Sequence, residues 1–423
     1  MTEWRTTTFN QLGRIVTGKT PRSNVQEYFG GDIPFITPSD MDGRRIIKET
    51  ARYLTQEGAN ATGRSRIPKN AVMVSCIGSD MGKAAVTGRE AVTNQQINSI
   101  IVDEAIDPMY VFYDLSRRKE EIRLRAGGSA QPILNKSSFG QLAINLPPLE
   151  VQRAIASILG ALDDKIEQNR RTAQALERLA RAIFRAWFVD FEPVKAKAAG
   201  ATAFPSMPQS VFDALPTRFV DSAIGPVPEG WGVKPLEQCV HLTMGQSPSS
   251  EYYNENGNGL PFHQGVTHYG FRFPTHRIYC TNGSRQAEPD DVLVSVRAPV
   301  GRINVADCRL ILGRGLAGLR HRGGRQSFLL YQLRHVFAEE DAIGEGTIYK
   351  AVTKKFLSQM PILSPQEEFE RAFDELAKPL DELIAESERE SCKLIEMRDY
   401  LLPKLLSGAV RVNEPKRFAD EVV

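Results

Sequence analysis

The sequence predicts an α+β chain made by internal duplication, with two α+β blocks separated by two long antiparallel helices that pair as a coiled coil. Three observations carry this. Beyond Pro148, apolar residues follow one another at steps of four and three over about 40 residues, the period of a helix-pairing seam. The same spacing returns beyond Pro365. Between the two stretches, turn and strand signatures of the first 147 residues reappear in the same order.

Residues 1–147 mix short β-like runs, such as Asp32 to Thr37, Ala71 to Ser75, Ala84 to Val86 and Ser99 to Val102, with Gly and Asn clusters. A helix is expected from Pro108 to Arg125, ending in the turn Gly127-Gly128. Residues 148–195 form the segment of the first long helix, with Pro147-Pro148 as a sharp boundary; the helix itself, over roughly 40 residues, is about 60 Å long at about 1.5 Å per residue. Its seam runs through Ile155, Leu159, Leu162, Ile166, Asn169, Ala173, Leu176, Ala180, Ile183 and Trp187, with Asn169 the polar interruption. Phe184, Trp187 and Phe188 are expected to leave an exposed apolar face. Residues 196–222, rich in Pro, Ala and Ser, read as an exposed linker.

The chain then starts again over residues 223–364. Gly245-Gln-Ser-Pro248 matches Gly18-Lys-Thr-Pro21, and Leu260-Pro-Phe262 matches Ile33-Pro-Phe35, both 227 positions on. Val292 to Ser295 matches Val72 to Ser75, Gly301 to Val305 matches Gly82 to Val86, and Gly344 to Phe356 matches Gly127 to Phe139 at 217. Residues 365–408 form the second long helix, with a seam of Phe369, Phe373, Leu376, Leu380, Leu383, Ser387, Glu390, Leu394, Met397 and Leu401; residues 409–423 are a tail. Pro379 should kink this helix or mark its first turns. Either stripe alone is also the ordinary core face of an amphipathic helix. Two in one chain favour pairing, and an antiparallel pair brings Asn169 to Ser387 and Glu390.

A formal net charge of +2 hides an acidic second helix and a mildly basic remainder, which suits a polyanion. The five cysteines are scattered without a CxxC, so they read as reduced thiols. No apolar run approaches the length of a membrane span, and a soluble cytoplasmic protein is expected.

Enzyme signatures do not hold up. Gly313-Arg-Gly-Leu-Ala-Gly318 is formally a GxGxxG, but LRHRGGRQ after it is no apolar helix that could present an N-terminus to phosphate. Asp107-Pro-Met-Tyr110 only approximates an adenine-methylation motif, and Asp190, Glu192 and Lys195 miss nuclease spacing. His263, His268 and His276 lack neighbouring ligand spacing for zinc. Neither a catalytic nor a metal site is expected.

What remains is a set of residues suited to DNA: Arg pairs with guanine, Asn and Gln with adenine, and Lys, Ser and Thr hold phosphates. In the first block these are Lys19, Thr20, Arg22, Thr37, Ser39, Arg44, Arg45, Ser79, Lys83, Asn94, Gln95 and Gln96. In the second they are Gln246, Ser247, His263, Gln264, His268, Tyr269, Arg272, Arg297, Arg302 and Arg314. Taken singly, each is ordinarily a solvated residue; the set is the signal.

Leu146-Pro-Pro-Leu-Glu-Val-Gln-Arg-Ala-Ile155, Phe188-Val-Asp-Phe-Glu-Pro193, Asp221 to Trp231 and Leu401-Leu-Pro-Lys-Leu-Leu-Ser-Gly408 together resemble the specificity subunits of type I restriction-modification systems, the HsdS family. Leu363 to Phe369 is a weaker copy of the helix-opening motif. The resemblance covers nearly the whole chain and implies that each block is a target recognition domain. It implies a bipartite, asymmetric double-stranded DNA site, one half per block, with the helix pair as spacer. Two methyltransferase subunits and the restriction subunits are the implied partners, and no membrane is involved. S-adenosylmethionine, Mg²⁺ and ATP then belong to those partners, with no cofactor in this noncatalytic chain. The alternative is a coiled-coil assembly adaptor whose α+β blocks bind protein.

Overall fold

The computed structural model describes residues 4–78, 80–126, 132–342 and 352–412, the last five residues of the segment ending at 342 by backbone alone. Ser79, Gly127-Gly128, Gly344 and the tail beyond residue 412 lie outside the described residues. The architecture rests on helices α1 (Pro108–Ser116), α2 (Lys119–Arg125), α3 (Leu149–Phe188), α4 (Glu192–Ala198), α5 (Gln209–Ala214), α6 (Gln326–Ala342) and α7 (Glu367–Ser407). The chain divides into two compact units, one from the N-terminus to Gln168 with the residues from Ser391 onward, the other Asn169–Glu390. Both α3 and α7 contribute residues to each unit.

In the first unit, strands β1 (Gly13–Thr17), β2 (Phe29–Ile36), β3 (Ile46–Ile47), β4 (Val72–Ser75), β5 (Ala84–Thr87), β6 (Ala91–Thr93) and β7 (Ile97–Val102) carry the frame. One sheet runs β1-β7-β4-β5-β3, and β2 pairs with β6 in parallel in a second. β4 is buried at every residue, as a central strand covered on both faces must be. The core behind it gathers Tyr110, Val111 and Leu115 of α1, Ile155 and Leu159 of α3, and Leu402, Leu405 and Leu406 of α7.

The second unit repeats this plan. Strands β8 (Val240–Met244), β9 (Leu260–His263), β10 (Val292–Ser295), β11 (Ile303–Val305), β12 (Leu310–Leu312) and β13 (Leu316–His321) form a sheet ordered β8-β13-β10-β11 and a parallel β9–β12 pair. A flanking pair, Gly232–Pro235 on Pro361–Ser364, matches Arg5–Thr8 on Ala143–Leu146. Single hydrogen bonds recur as well: Val86 N donates to Arg45 O at 2.8 Å, and Val305 N to Arg272 O at 2.9 Å.

Within the second unit, Asn169 Nδ2 donates to Glu390 Oε2 at 2.7 Å, the polar layer expected of an antiparallel pair. Along the predicted seams, Ile155, Leu159, Asn169, Trp187 and Phe373 are buried, and Leu162, Ile166, Leu176, Ile183, Leu376, Leu380, Leu394 and Leu401 are half-buried. Leu383 and Met397 are 49% and 51% exposed, while Ile384 is fully buried. The reason is geometric: at 3.6 residues per turn a helix drifts about 20° per heptad from a strict 3.5-residue seam, and packing follows the helix.

Other expectations also change. The helix expected over Pro108 to Arg125 is two helices, because Arg118 leaves helical backbone angles (φ −96°, ψ 16°); the Arg117 and Arg118 guanidinium groups both pair with the buried Asp114 at this break. α7 runs through Pro379, twelve residues after its start, so that proline does not mark the first turns. Phe184, Trp187 and Phe188 are covered: Phe188 lies 5.0 Å from the Phe328 ring and 5.6 Å from Phe373, and Trp187 is 1% exposed. The connector over 196–222 is docked, with Phe212 and Leu215 in the same core and Lys197 Nζ donating to the carbonyls of Asp213 and Leu215 at 2.6 Å.

Each unit fastens its sheets to its part of the helix pair through an arginine, a tyrosine and helix carboxylates. In the first, Arg45 reaches Asp164 of α3 and donates to Tyr113 Oη of α1 at 3.1 Å, and Tyr113 donates to Asp163 at 2.7 Å. Arg398 of α7 holds the other oxygen of Asp163 at 2.9 Å. In the second, Arg272 pairs with Asp381 of α7 at 2.7 Å and with Glu177 of α3, and donates to Tyr331 Oη of α6 at 3.1 Å. Burial alone would lower the Arg272 pKa; Asp381, Tyr331 and Glu177 overrule it and raise it.

Two predictions follow from this packing, both read by unfolding of the full chain. Ile384→Ala should cost about 2–5 kcal/mol, and Leu383→Ala under about 1 kcal/mol; equal costs would restore the heptad seam. Arg272→Met should cost about 3–5 kcal/mol by stranding buried carboxylates. Arg45→Met should cost less, about 1.5 kcal/mol, because Asp164 is 71% exposed; a larger loss for Arg45 would contradict the assigned roles.

Candidate nucleic-acid interface

Strand register brings the loops of each block to one end of its sheet. In the first, Thr17 lies opposite Asn98, Ile97 opposite Ser75, and Val74 opposite Ala84. The segment after β1, the β4–β5 turn and the β6–β7 turn therefore share that end. β2 arrives there too, with Ile36 beside Thr93.

Backbone bonds then fix the loops. Lys19 N donates to Thr93 O at 2.8 Å, and Asn94 N to Ile36 O at 3.0 Å. Gly18 must be glycine, since a Cβ there would lie 2.0 Å from Asn94 O. Ser75 Oγ accepts from Lys83 N at 3.0 Å and sets the β4–β5 turn. Lys19, Arg22, Ser39 and Gln95 are exposed at this end, with Thr20, Lys83 and Gln96 half-exposed.

The second block repeats the construction. Met244 lies opposite Ala317, Ser295 opposite Leu316, and His263 beside Leu312. Gly245 is pressed on Gly313 O as Gly18 is on Asn94 O, with a Cβ separation of 2.1 Å. Ser295 Oγ accepts from Arg302 N at 2.8 Å, the counterpart of the Ser75 bond. Ser247 Oγ donates to Gln264 Oε1 at 2.7 Å and accepts from Arg314 N at 3.2 Å, tying two loops together. Gln246, Gln264, Arg297, Arg302 and Arg314 are exposed, and Ser247 and His268 half-exposed.

Lys19, Arg22, Arg297, Arg302 and Arg314 form no ion pair among the described residues. Lys83 pairs with Asp80 at 2.9 Å, and Arg44 with Asp42 at 2.9 Å. Five free cations on exposed loops, beside amide side chains, make a surface that can hold phosphates and read base edges.

Several residues singled out in the sequence serve the frame. Arg45 and Arg272 are the clasp arginines. Thr37 is buried and donates from Oγ1 to Asp40 at 2.7 Å, and Asn94 is 8% exposed with Nδ2 on Gln96. His263 is 2% exposed, with burial holding its pKa down to about 4. Burial also raises the Tyr269 pKa, and its hydroxyl faces the interior. Conversely, the clasp partners Tyr113, Tyr331, Asp164 and Asp381 escaped the sequence reading. The signal was present: Tyr331 follows Tyr113 by 218 positions and Asp381 follows Asp164 by 217, within the drift of the repeat.

The enzyme-like motifs have structural tasks. Gly313 to Gly315 joins strand β12 to strand β13, so no helix begins there. Asp107 caps α1 by accepting from Tyr110 N at 2.9 Å, with Pro108 in the first turn. Asp190 pairs with Arg185 at 2.9 Å. Among the described residues, no helix is long and apolar enough to cross a membrane.

Comparison with known proteins gives a consistent result. The family model described as the type I restriction modification DNA specificity domain matches residues 1–178. The chain is 31% identical over 316 residues to a type I restriction enzyme MjaX specificity subunit from Methanocaldococcus jannaschii, covering 73% of this chain and 69% of that protein. It is 25% identical to the MjaIX specificity subunit from the same organism, covering 97% and 94%. The crystal structure of a type I restriction-modification system S subunit from M. genitalium shares the fold, with a TM-score of 0.62 at 15% identity and 96% coverage of both chains. The duplicated architecture and these similarities show that the chain belongs to the family of type I restriction enzyme specificity subunits.

Proposed function

We propose that this chain binds a bipartite, asymmetric double-stranded DNA site, each block reading one half, and directs methyltransferase and restriction subunits to it. The observation that carries the reading is the repeated construction of the loop end: two blocks share a frame, down to the Gly18 and Gly245 contacts and the Ser75 and Ser295 bonds, yet present different side chains. Shared frame with different exposed loops is what two readers of different half-sites require.

The mechanism is recognition without chemistry in this chain. Loop side chains enter the major groove, where Arg314 or Gln264 can meet base edges bidentately, while Lys19, Arg22, Arg297 and Arg302 hold phosphates. The residues from 1 to 147 and from 223 to 364 act as the target recognition domains, and the helix pair acts as the spacer between half-sites. Two methyltransferase subunits engage the helices, with restriction subunits joining them. S-adenosylmethionine, Mg²⁺ and ATP serve chemistry on those partners.

The test is DNA binding by the assembled complex as a function of salt. Each phosphate contact removed should flatten the slope of log K against log salt by about 0.9. Replacing Arg297, Arg302 and Arg314 together by Ala should weaken binding at least tenfold at constant melting temperature. Full affinity and an unchanged slope would turn the reading toward a protein-binding adaptor.

A further inference from the structure

Among the described residues, one group of His, Cys and carboxylate side chains converges closely enough to hold a metal ion: His276, Asp307 and Cys308, with ligand atoms within 4.8 Å of one another. Sequence spacing argues against zinc at the histidines, because no carboxylate stands near them and the one nearby cysteine, Cys280, is buried with its thiol on the Asn282 carbonyl. The fold supplies both a carboxylate and a thiol, from the turn between β11 and β12.

His276 Nε2 lies 3.0 Å from Asp307 Oδ1, 3.1 Å from Oδ2 and 3.4 Å from Cys308 Sγ. Zinc bonds of about 2.0–2.1 Å to nitrogen and oxygen and about 2.3 Å to sulfur give tetrahedral edges of roughly 3.3 Å for N···O and roughly 3.6 Å for N···S. Both separations from His276 Nε2 thus stand within a few tenths of an ångström of the required edges, and Asp307 and Cys308 present their ligand atoms within 4.8 Å of each other. His276 and Cys308 are half-buried and Asp307 is exposed, which leaves a path for the ion and room for a fourth ligand.

The other face of the imidazole is also arranged. His276 Nδ1 lies 3.0 Å from Nε2 of the buried His263, and the two rings meet edge-on at a centroid distance of 5.3 Å. With Nδ1–H donated to His263, the His276 lone pair sits on Nε2, toward Asp307 and Cys308. Metal-binding histidines are oriented by such a bond on the remote nitrogen. A plain His–carboxylate ion pair requires neither this orientation nor a thiol on the same nitrogen.

We propose that His276, Asp307 and Cys308 bind one zinc ion, with the fourth position open to water. The mixed N, O and S donor set selects a borderline-soft metal over Mg²⁺ or Ca²⁺, which prefer oxygen-only shells. The ion cross-links the segment around His276 to the β11–β12 turn. It thereby stiffens the stretch carrying Gln264 and His268, exposed or half-exposed beside the loops of the second block.

The experiment uses the purified full chain, stripped with chelator and titrated with Co²⁺ and then Zn²⁺. The wild-type chain should take up one equivalent with a thiolate-to-cobalt charge-transfer band, which zinc abolishes, and zinc should raise its melting temperature. Cys308→Ser should lose the band, and His276→Gln should weaken binding at least tenfold. Cys392→Ser, on the exposed face of α7, should behave as wild type. Stripped Cys308→Ser should melt with the stripped wild-type chain, showing that loss of the band is not unfolding. A wild-type chain without the band, or a Cys308→Ser chain that keeps it, overturns the assignment and leaves a His–Asp ion pair only.

Discussion

Arg272 is nearly inaccessible to solvent, yet it carries a full charge against two carboxylates and a phenol. Such a group folds only if every partner is in place, since an unpaired buried charge costs several kcal/mol. Its partners come from α3, α6 and α7, so one guanidinium fixes both long helices, a block helix and a sheet-edge segment of the second unit together. Glu177 also holds Arg334 at 2.7 Å, which balances the carboxylates around Arg272. The placement of the second block's loops depends on this seat, because a block that shifted on its helices would carry its loops with it.

The first unit makes the same seat more cheaply. Arg45, Tyr113 and Asp164 stand at 227, 218 and 217 positions before Arg272, Tyr331 and Asp381, so the clasp was duplicated with the chain. Asp164 belongs to α3 and Asp381 to α7, so each block is clasped by the long helix that follows it in the chain. Frame residues such as Gly18, Ser75, Gly245 and Ser295 were retained with the clasp, while exposed loop residues diverged. Selection on a frame and freedom in its loops is the physical signature of a modular reader.

Much of this is legible in the sequence alone. The four-three spacing located both long helices, and Asn169 pointed correctly to Glu390, because a polar residue in an apolar stripe needs a partner. The ordered anchors Gly18-Lys-Thr-Pro21 and Gly245-Gln-Ser-Pro248 exposed the duplication. Legibility failed where tertiary packing decides. Leu383 obeys the heptad and faces solvent, while Ile384 breaks it and is buried, since the partner surface selects the buried stripe. Phe184, Trp187 and Phe188 read as an exposed face because Phe328 and Phe373, which cover them, lie far along the chain. Arg45 and Arg272 read as DNA contacts because residue type cannot distinguish a guanidinium aimed at a phosphate from one aimed at a helix carboxylate. The His276 group stayed hidden because its carboxylate and thiol are more than 30 residues away in sequence.

If two independent readers share one chain, exchange of one leaves the half-site of the other untouched. The chain, co-expressed with its methyltransferase subunit, would be followed by single-molecule sequencing of host DNA for N6-methyladenine, before and after residues 1–147 are replaced by those of another specificity subunit. One asymmetric motif of two specified halves around an unspecified gap is expected. The exchange should rewrite one half and preserve the other. Alteration of both halves, or methylation without a bipartite motif, would contradict independent readers.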